Sequence, residues 1–178
     1  MADEASSCLP SESTIWADVE EAIEVGIEAE ERGERAAYGN KAQRHYEEAL
    51  TCYQAAIQIA GQLFQLKKLA DSAYNAATVF YLLNANFYMP ATALPALDAS
   101  AKLYRKAEQS VTTSCSEELS PPGFALDIAS NLCATLLALF EIIDDVPEVS
   151  GLDFQSVKAR MAALASEAIL LLGKVEQE

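Results

Sequence analysis

The sequence predicts an all-α chain of about six long helices. Three observations carry this. Apolar residues recur at spacings of three, four and seven over long stretches. No segment alternates apolar and polar residues in the two-residue rhythm of a half-buried strand. Clusters of Gly, Asn, Ser and Pro cut the chain into pieces of helix length. With 178 residues, 51% of them hydrophobic and 22% charged, the chain can build one real core, and global disorder is not expected.

Residues 1–12 are small and polar and read as a disordered tail, leaving 13–178 as a single helical domain. The first helix is predicted from about Thr14 to Gly33, capped by Ser11 or Ser13. Trp16, Val19, Ile23 and Ile27 lie on one of its faces. The Tyr38-Gly39-Asn40 step reads as a turn. A second helix follows from Lys41 to about Ala60, with Gly61 at its end and Tyr46, Ala49, Leu50, Tyr53, Ala56 and Ile57 on one side. A third is predicted over Leu63–Leu83, broken by Asn84, Asn86 and Pro90. A fourth covers roughly Leu94–Val111, and the stretch from Thr112 through Pro121-Pro122-Gly123 is loop by composition. The fifth runs from about Phe124 to Ile143 and the sixth from Phe154 to Val175.

Charge narrows the function. Lys and Arg total 12 against 27 Asp and Glu, a net charge of -15. Residues 1–34 hold 11 of those acids and only Arg32 as a base, so ten of the fifteen net charges sit in the first fifth of the chain. Such a surface repels phosphate backbones and anionic headgroups, so neither nucleic-acid binding nor direct membrane insertion is expected. The most apolar run, Ile128–Phe140, is bracketed by Asp127 and Glu141; as a helix it spans about 20 Å, short of the roughly 30 Å of a bilayer core. It reads as a core helix. The N-terminus carries early acids and no basic-then-apolar pattern, so it does not read as a signal peptide.

Cys52 and Cys133 fall in apolar helical patterns and read as small core residues, while Cys8 and Cys115 lie in polar segments. Without a CxxC pair, a reducing cytoplasm is the expected setting, with the nucleus left open. His45 is the single histidine; Cys52, seven residues on, is about 10 Å away along a helix, too far for a Cys–His pair. No calcium loop, HExxH, phosphate-binding loop or nucleophile-elbow motif occurs. The chain is therefore read as a non-enzyme with no catalytic residue, no metal and no cofactor.

An internal repeat adds architecture. A shift of 51 residues lays Gly26 on Ala77, Ala49 on Ser100, Tyr53 on Tyr104 and Ala56 on Ala107; a further shift of 56 lays Ala73, Asn75 and Ala77 on Ala129, Asn131 and Cys133. Small residues flanking an aromatic let antiparallel helices approach closely, with the ring filling the gap. Three such hairpins, each burying a face on the next, make a short solenoid.

On these residues the chain resembles the tetratricopeptide repeat family. His45–Ile57 resembles the second helix of a unit and Ala73–Phe87 a first helix with its turn. Val25, Gly26, Ala29 and Gly33 match more faintly, as does Ser130–Leu139. The units are 51 and 56 residues against about 34 in the family, so the hairpins are longer. The resemblance implies a right-handed stack of about three antiparallel hairpins, with first helices lining a groove for a peptide or helix. It places Glu24, Asn75 and Asn131 at matching groove positions. The positions of a basic carboxylate clamp fall on Ile23, Ile27, Asp127 and Asn131, so no clamp is expected. The segment His45–Ile57 also resembles the first hairpin of the MIT domain, which binds helical tails of membrane-remodelling proteins.

The expected function is an adaptor, scaffold or escort for a partner protein, with a basic partner favoured by charge. The candidate partner-binding residues are Glu20, Glu21, Glu24, Glu30, Glu31, Asn75, Asp127 and Asn131. A permanent structural subunit, packed through the apolar helices 124–143 and 161–172, and a MIT-like module are the alternatives. The sequence leaves the oligomeric state open.

Overall fold

The computed structural model describes Trp16 and residues 18–88, 90–113, 123–145 and 154–175. They form six helices: α1 (Val19–Ala36), α2 (Gly39–Gln62), α3 (Leu66–Asn86), α4 (Pro90–Thr113), α5 (Phe124–Asp145) and α6 (Phe154–Val175). Among the described residues there is no strand. The expected tail, the Ser11 and Ser13 caps, most of the Thr112–Gly123 loop, Cys8 and Cys115 lie outside the described residues.

Several boundaries differ from expectation, each for a local reason. α1 begins at Val19 and not near Thr14, because Asp18 takes the cap: its Oδ1 accepts the Glu21 N–H at 2.9 Å. The Asn residues do not stop α3 at Leu83. It continues to Asn86, whose side-chain amide donates to the Leu82 carbonyl at 3.0 Å. Pro90 does not end a helix but opens α4, where its missing N–H is harmless and its fixed φ suits the first turn. Gly61 lies within the last turn of α2, and the left-handed residue that ends the helix is Phe64, at φ 55°. Around it the Phe64 N–H reaches the Gly61 carbonyl at 3.4 Å and the Gln65 N–H the Ala60 carbonyl at 3.0 Å, a Schellman arrangement.

Each helix packs on the next in the chain, antiparallel across a short turn for the first four. Helices two apart run parallel, and α1–α3, α3–α5 and α4–α6 are tied by side chains. Glu20 of α1 pairs with Lys68 of α3, and Asn131 of α5 donates to the Tyr74 hydroxyl of α3 at 2.9 Å. On the opposite side Arg160 of α6 meets Asp98 of α4 at 2.5 Å, and Arg105 of α4 forks onto Glu167 of α6 at 2.7 and 2.6 Å. Both α4–α6 pairs join residues 62 apart in sequence, so the two helices keep a constant register. Odd helices thus form one side of the stack and even helices the other.

The α1–α2 contact is built on size. The packing face of α1 is Val19, Ala22, Gly26, Ala29 and Gly33, not the predicted Trp16-Val19-Ile23-Ile27 stripe; Ile27 is 43% exposed. Tyr53 fits over Gly26 and Tyr46 over Gly33: a Cβ added at Gly26 would fall 2.7 Å from Tyr53 Cε1, and one at Gly33 would fall 3.1 Å from Tyr46 Cε2. Ala49, Tyr53 and Ala56 are fully buried, as the small–aromatic–small pattern requires. Its counterpart 51 residues on is buried too, in Ser100, Tyr104 and Ala107. Ser100 donates across the interface to the Ala77 carbonyl at 2.8 Å, so its hydroxyl is satisfied.

α5 is long and apolar enough to cross a membrane by length and composition alone. Its Ile128, Leu132, Leu136, Leu139 and Ile143 are buried within the stack. Cys52 and Cys133 are buried in the core, as expected of small apolar-pattern residues.

Candidate functional site

α3 is the floor of the odd-helix side. From Lys68 to Asn84 it has no exposed residue, whereas every other helix shows one at least every second turn. It packs against α1, α2, α4 and α5, so it lies sunk between its two parallel neighbours. α3 is thus the central and most covered helix of the odd-helix side, flanked by α1 and α5.

α3 and its two flanking helices carry carboxylates at one level. The Glu20–Lys68 pair sets α1 against α3 at an offset of 48 residues, and the Tyr74–Asn131 bond sets α3 against α5 at 57. By those offsets Asp71 stands level with Ile23 of α1 and with Ile128 of α5, whose sequence neighbours are Glu24 and Asp127. Glu24 and Asp127 are exposed, and neither makes an ion pair among the described residues. Asp71 is half-buried; burial pushes its carboxyl up, and the Lys67 ammonium pulls it partly back. Lys67 and Lys68 are the bases of α3, and Lys68 is taken by Glu20. No group of three or more His, Cys, Asp or Glu side chains among the described residues is placed to hold a metal ion.

Polar hydrogen-bonding groups continue the floor. Asn131 and Tyr74 bond each other, and the Tyr74 ring lies edge-on to Tyr104 and Phe124, at centroid distances of 5.7 and 5.3 Å. Burial and the nearby Asp127 charge raise the Tyr74 hydroxyl, so it stays protonated. Thr78 and Tyr104 share a hydrogen bond of 3.0 Å. Asn75 is half-buried on α3. Tyr46, Tyr53 and Tyr104 are buried among helices and serve packing.

Of the eight predicted residues, Asn75 stands by itself, half-buried on α3, and the other seven separate into three groups. Asp127 and Asn131 come together beside Tyr74. Glu20, Glu21, Glu24 and Glu31 are exposed on α1, with Glu31 3.3 Å from Arg35. Glu30 leaves that face: its Oε2 accepts the Tyr53 hydroxyl at 2.8 Å, and burial followed by the neighbouring Glu34 charge raises its carboxyl against that bond. Sequence reasoning passed over Asp71. Asp71 had a signal, being the only acid between Glu48 and Asp98.

Comparison of the chain with protein-family models, with curated proteins and with solved structures gives no match.

Proposed function

We propose that the chain is a non-catalytic protein-binding module whose odd-helix groove holds an extended or helical segment bearing Lys or Arg. The covered position of α3, flanked by helices whose Glu24 and Asp127 are exposed and make no ion pair among the described residues, supports this reading. A cationic segment lying along α3 would pass Asp71 and the acids of the flanking helices, Glu24 and Asp127, and bring the charge this side lacks. Asn75, Asn131 and the Tyr74 hydroxyl supply hydrogen bonds that a peptide backbone can use without demanding a sequence. The net charge of -15 speeds encounter with a basic partner. An adaptor or escort in the cytoplasm fits this chemistry.

The test is fluorescence anisotropy with a labelled deca-lysine peptide and a deca-glutamate control, across a salt series. Glu24→Gln with Asp127→Asn should weaken deca-lysine binding about tenfold, for two charge-assisted contacts of about 0.7 kcal/mol each. Neutralising Glu20, Glu21 and Glu31 separates the outer acidic face from the groove. Binding that ignores both sets of changes and ignores salt removes the proposal. A second reading, a subunit packed in a larger assembly, is favoured by one observation: Ile169 and Leu170 of α6 are 68% and 71% exposed.

A further inference from the structure

The odd helices carry their uncommitted cations in one place. α5 has no Lys or Arg. The two bases of α1 are engaged: Arg32 reaches Glu48 of α2 at 3.0 Å, and Arg35 pairs with Glu31 of its own helix at 3.3 Å. That leaves Lys67 and Lys68, both in the first turn of α3. Lys68 is half-buried, and its ammonium crosses to Glu20 of α1. Lys67 is exposed and stands one turn before Asp71, whose carboxyl feels its charge. Beyond Asp71, α3 has no charged residue. Both lysines therefore lie at the same end of α3 as the acids of this side, Glu20, Glu24, Asp71 and Asp127.

We propose that Lys67 and Lys68 are a built-in competitor for the basic partner: in the free protein Lys68 holds Glu20 and Lys67 screens Asp71, and the cations of a bound segment take their place. The inference rests on the reading of the odd-helix side as a surface for basic segments. The Glu20 and Lys68 side chains are 55% and 32% exposed, so their pair is open to water and exchanges readily. It can part without unstacking α1, which remains packed on α2. Glu24 and Asp127 have no ion-pair partner among the described residues and meet a partner unopposed. The competition is charged to every basic ligand, so a segment must bring several cations to overcome it. Sparsely basic segments are rejected by repulsion as much as by lack of attraction.

Local competition differs from the general pull of net charge. Lys102 and Lys106 are exposed on α4, an even helix. Replacing either pair of lysines by Gln removes two positive charges and takes the net charge from -15 to -17. Net charge alone predicts equal gains in affinity from the two pairs. At about 0.15 M salt, where fields are screened beyond about 8 Å, local competition predicts a gain from the α3 pair and little from the α4 pair.

Fluorescence anisotropy of the full chain with labelled deca-lysine, at about 0.15 M NaCl and with deca-glutamate as control, tests this. Lys67→Gln with Lys68→Gln should tighten deca-lysine binding about fivefold, and Lys102→Gln with Lys106→Gln by less than about twofold. Lys68→Arg keeps the cation and should bind as the wild-type chain does. Lys67→Gln alone, at an exposed position, should give part of the gain with unchanged circular dichroism. This single variant keeps the test open if loss of the Lys68–Glu20 tie disturbs α1. Equal gains from the two pairs overturn the proposal. So does an α3 pair, or a Lys67→Gln variant, that binds no tighter than wild type, since the lysines would then position the acids and not compete for them. In those cases the wild-type chain still binds, and the peptide-binding reading stands. Binding that appears only once the α3 lysines are removed supports the competitor most directly. Absence of binding in every form removes the peptide-binding reading and this inference with it.

Discussion

Tyr53 lies over Gly26 so closely that α1 and α2 have no room for a methyl group between them. The ring is fully buried, and its hydroxyl reaches past the glycine to Glu30 one turn on. The glycine sets the helix separation, and the tyrosine fills it and satisfies the carboxylate.

Gly26→Ala should therefore destabilise the fold by about 1–3 kcal/mol, despite the better helix propensity of alanine. The new Cβ would sit 2.7 Å from a buried ring that cannot swing away. Gly33→Ala should cost less, because the nearest atoms of Tyr46 are at 3.1 Å and that ring is slightly exposed. Urea denaturation of the two variants checks the order; equal or reversed midpoints would contradict it.

Glu30 should give stability a measurable pH slope. Burial raises its folded-state carboxyl above the ordinary value of 4.5, with Glu34 adding to the shift and the Tyr53 hydroxyl opposing it. Below 4.5 both folded and unfolded states hold the proton, and the group contributes no penalty. As pH rises from there through the raised folded value, the unfolded chain releases its proton first and stability declines; above that value the loss is complete and constant. Glu30→Gln keeps an acceptor for Tyr53 and removes the titration. Wild-type stability relative to Glu30→Gln should fall with rising pH over this window, measured by denaturant midpoints. A difference that stays flat or climbs would refute the assignment.

Phe64 occupies a position suited to glycine. It is 86% exposed and held at φ 55° at the end of α2. A side chain there costs about 1 kcal/mol in the backbone, and the ring recovers little of it. Phe64→Gly should raise stability by up to about 1 kcal/mol after the added chain entropy of glycine is subtracted. A calorimetric Tm that drops would show that the exposed ring has a packing role.

The two core thiols should be silent in the native protein. Cys52 is buried, and its thiol is pushed up to about 11, by burial first and by the Glu48 charge second. Burial raises Cys133 as well. Thiolate is the reactive form, so a thiol reagent at pH 8 should label both residues only after unfolding. Peptide mapping by mass spectrometry reads this directly, and prompt native labelling of Cys52 would contradict the packing of α2.

Much of the fold was legible in the sequence because its helices are long and its packing residues repeat. Ala49, Tyr53 and Ala56 on α2, and Ser100, Tyr104 and Ala107 on α4, pointed to close helix contacts before any coordinates. The face of α1 was not legible in the same way. Hydropathy favoured Trp16, Val19, Ile23 and Ile27, but a helix that must approach a tyrosine closely packs through its glycines, which carry no hydropathy signal. Helix ends were misjudged where a residue plays an unusual part: Asp18 as cap, Pro90 as first helical residue, Phe64 in a left-handed turn. For the site, spacing alone put Asp127 and Asn131 one turn apart. That Tyr74 joins them, and that Glu30 turns inward, depends on register between helices, which a single strand of sequence does not encode.

The sunken position of α3 also decides how the molecule comes apart. Four helices shield it, so its amides can meet solvent only after a neighbour has left. α6 lies at the end of the stack, held by α5 and by two ion pairs to α4. Unravelling in such a chain begins at an end and moves inward, one neighbour contact at a time. Hydrogen exchange should accordingly be fastest in α6 and slowest in α3. The groove floor is then the last part of the protein to lose its shape, and a partner bound there would leave the fraying ends free to open and close.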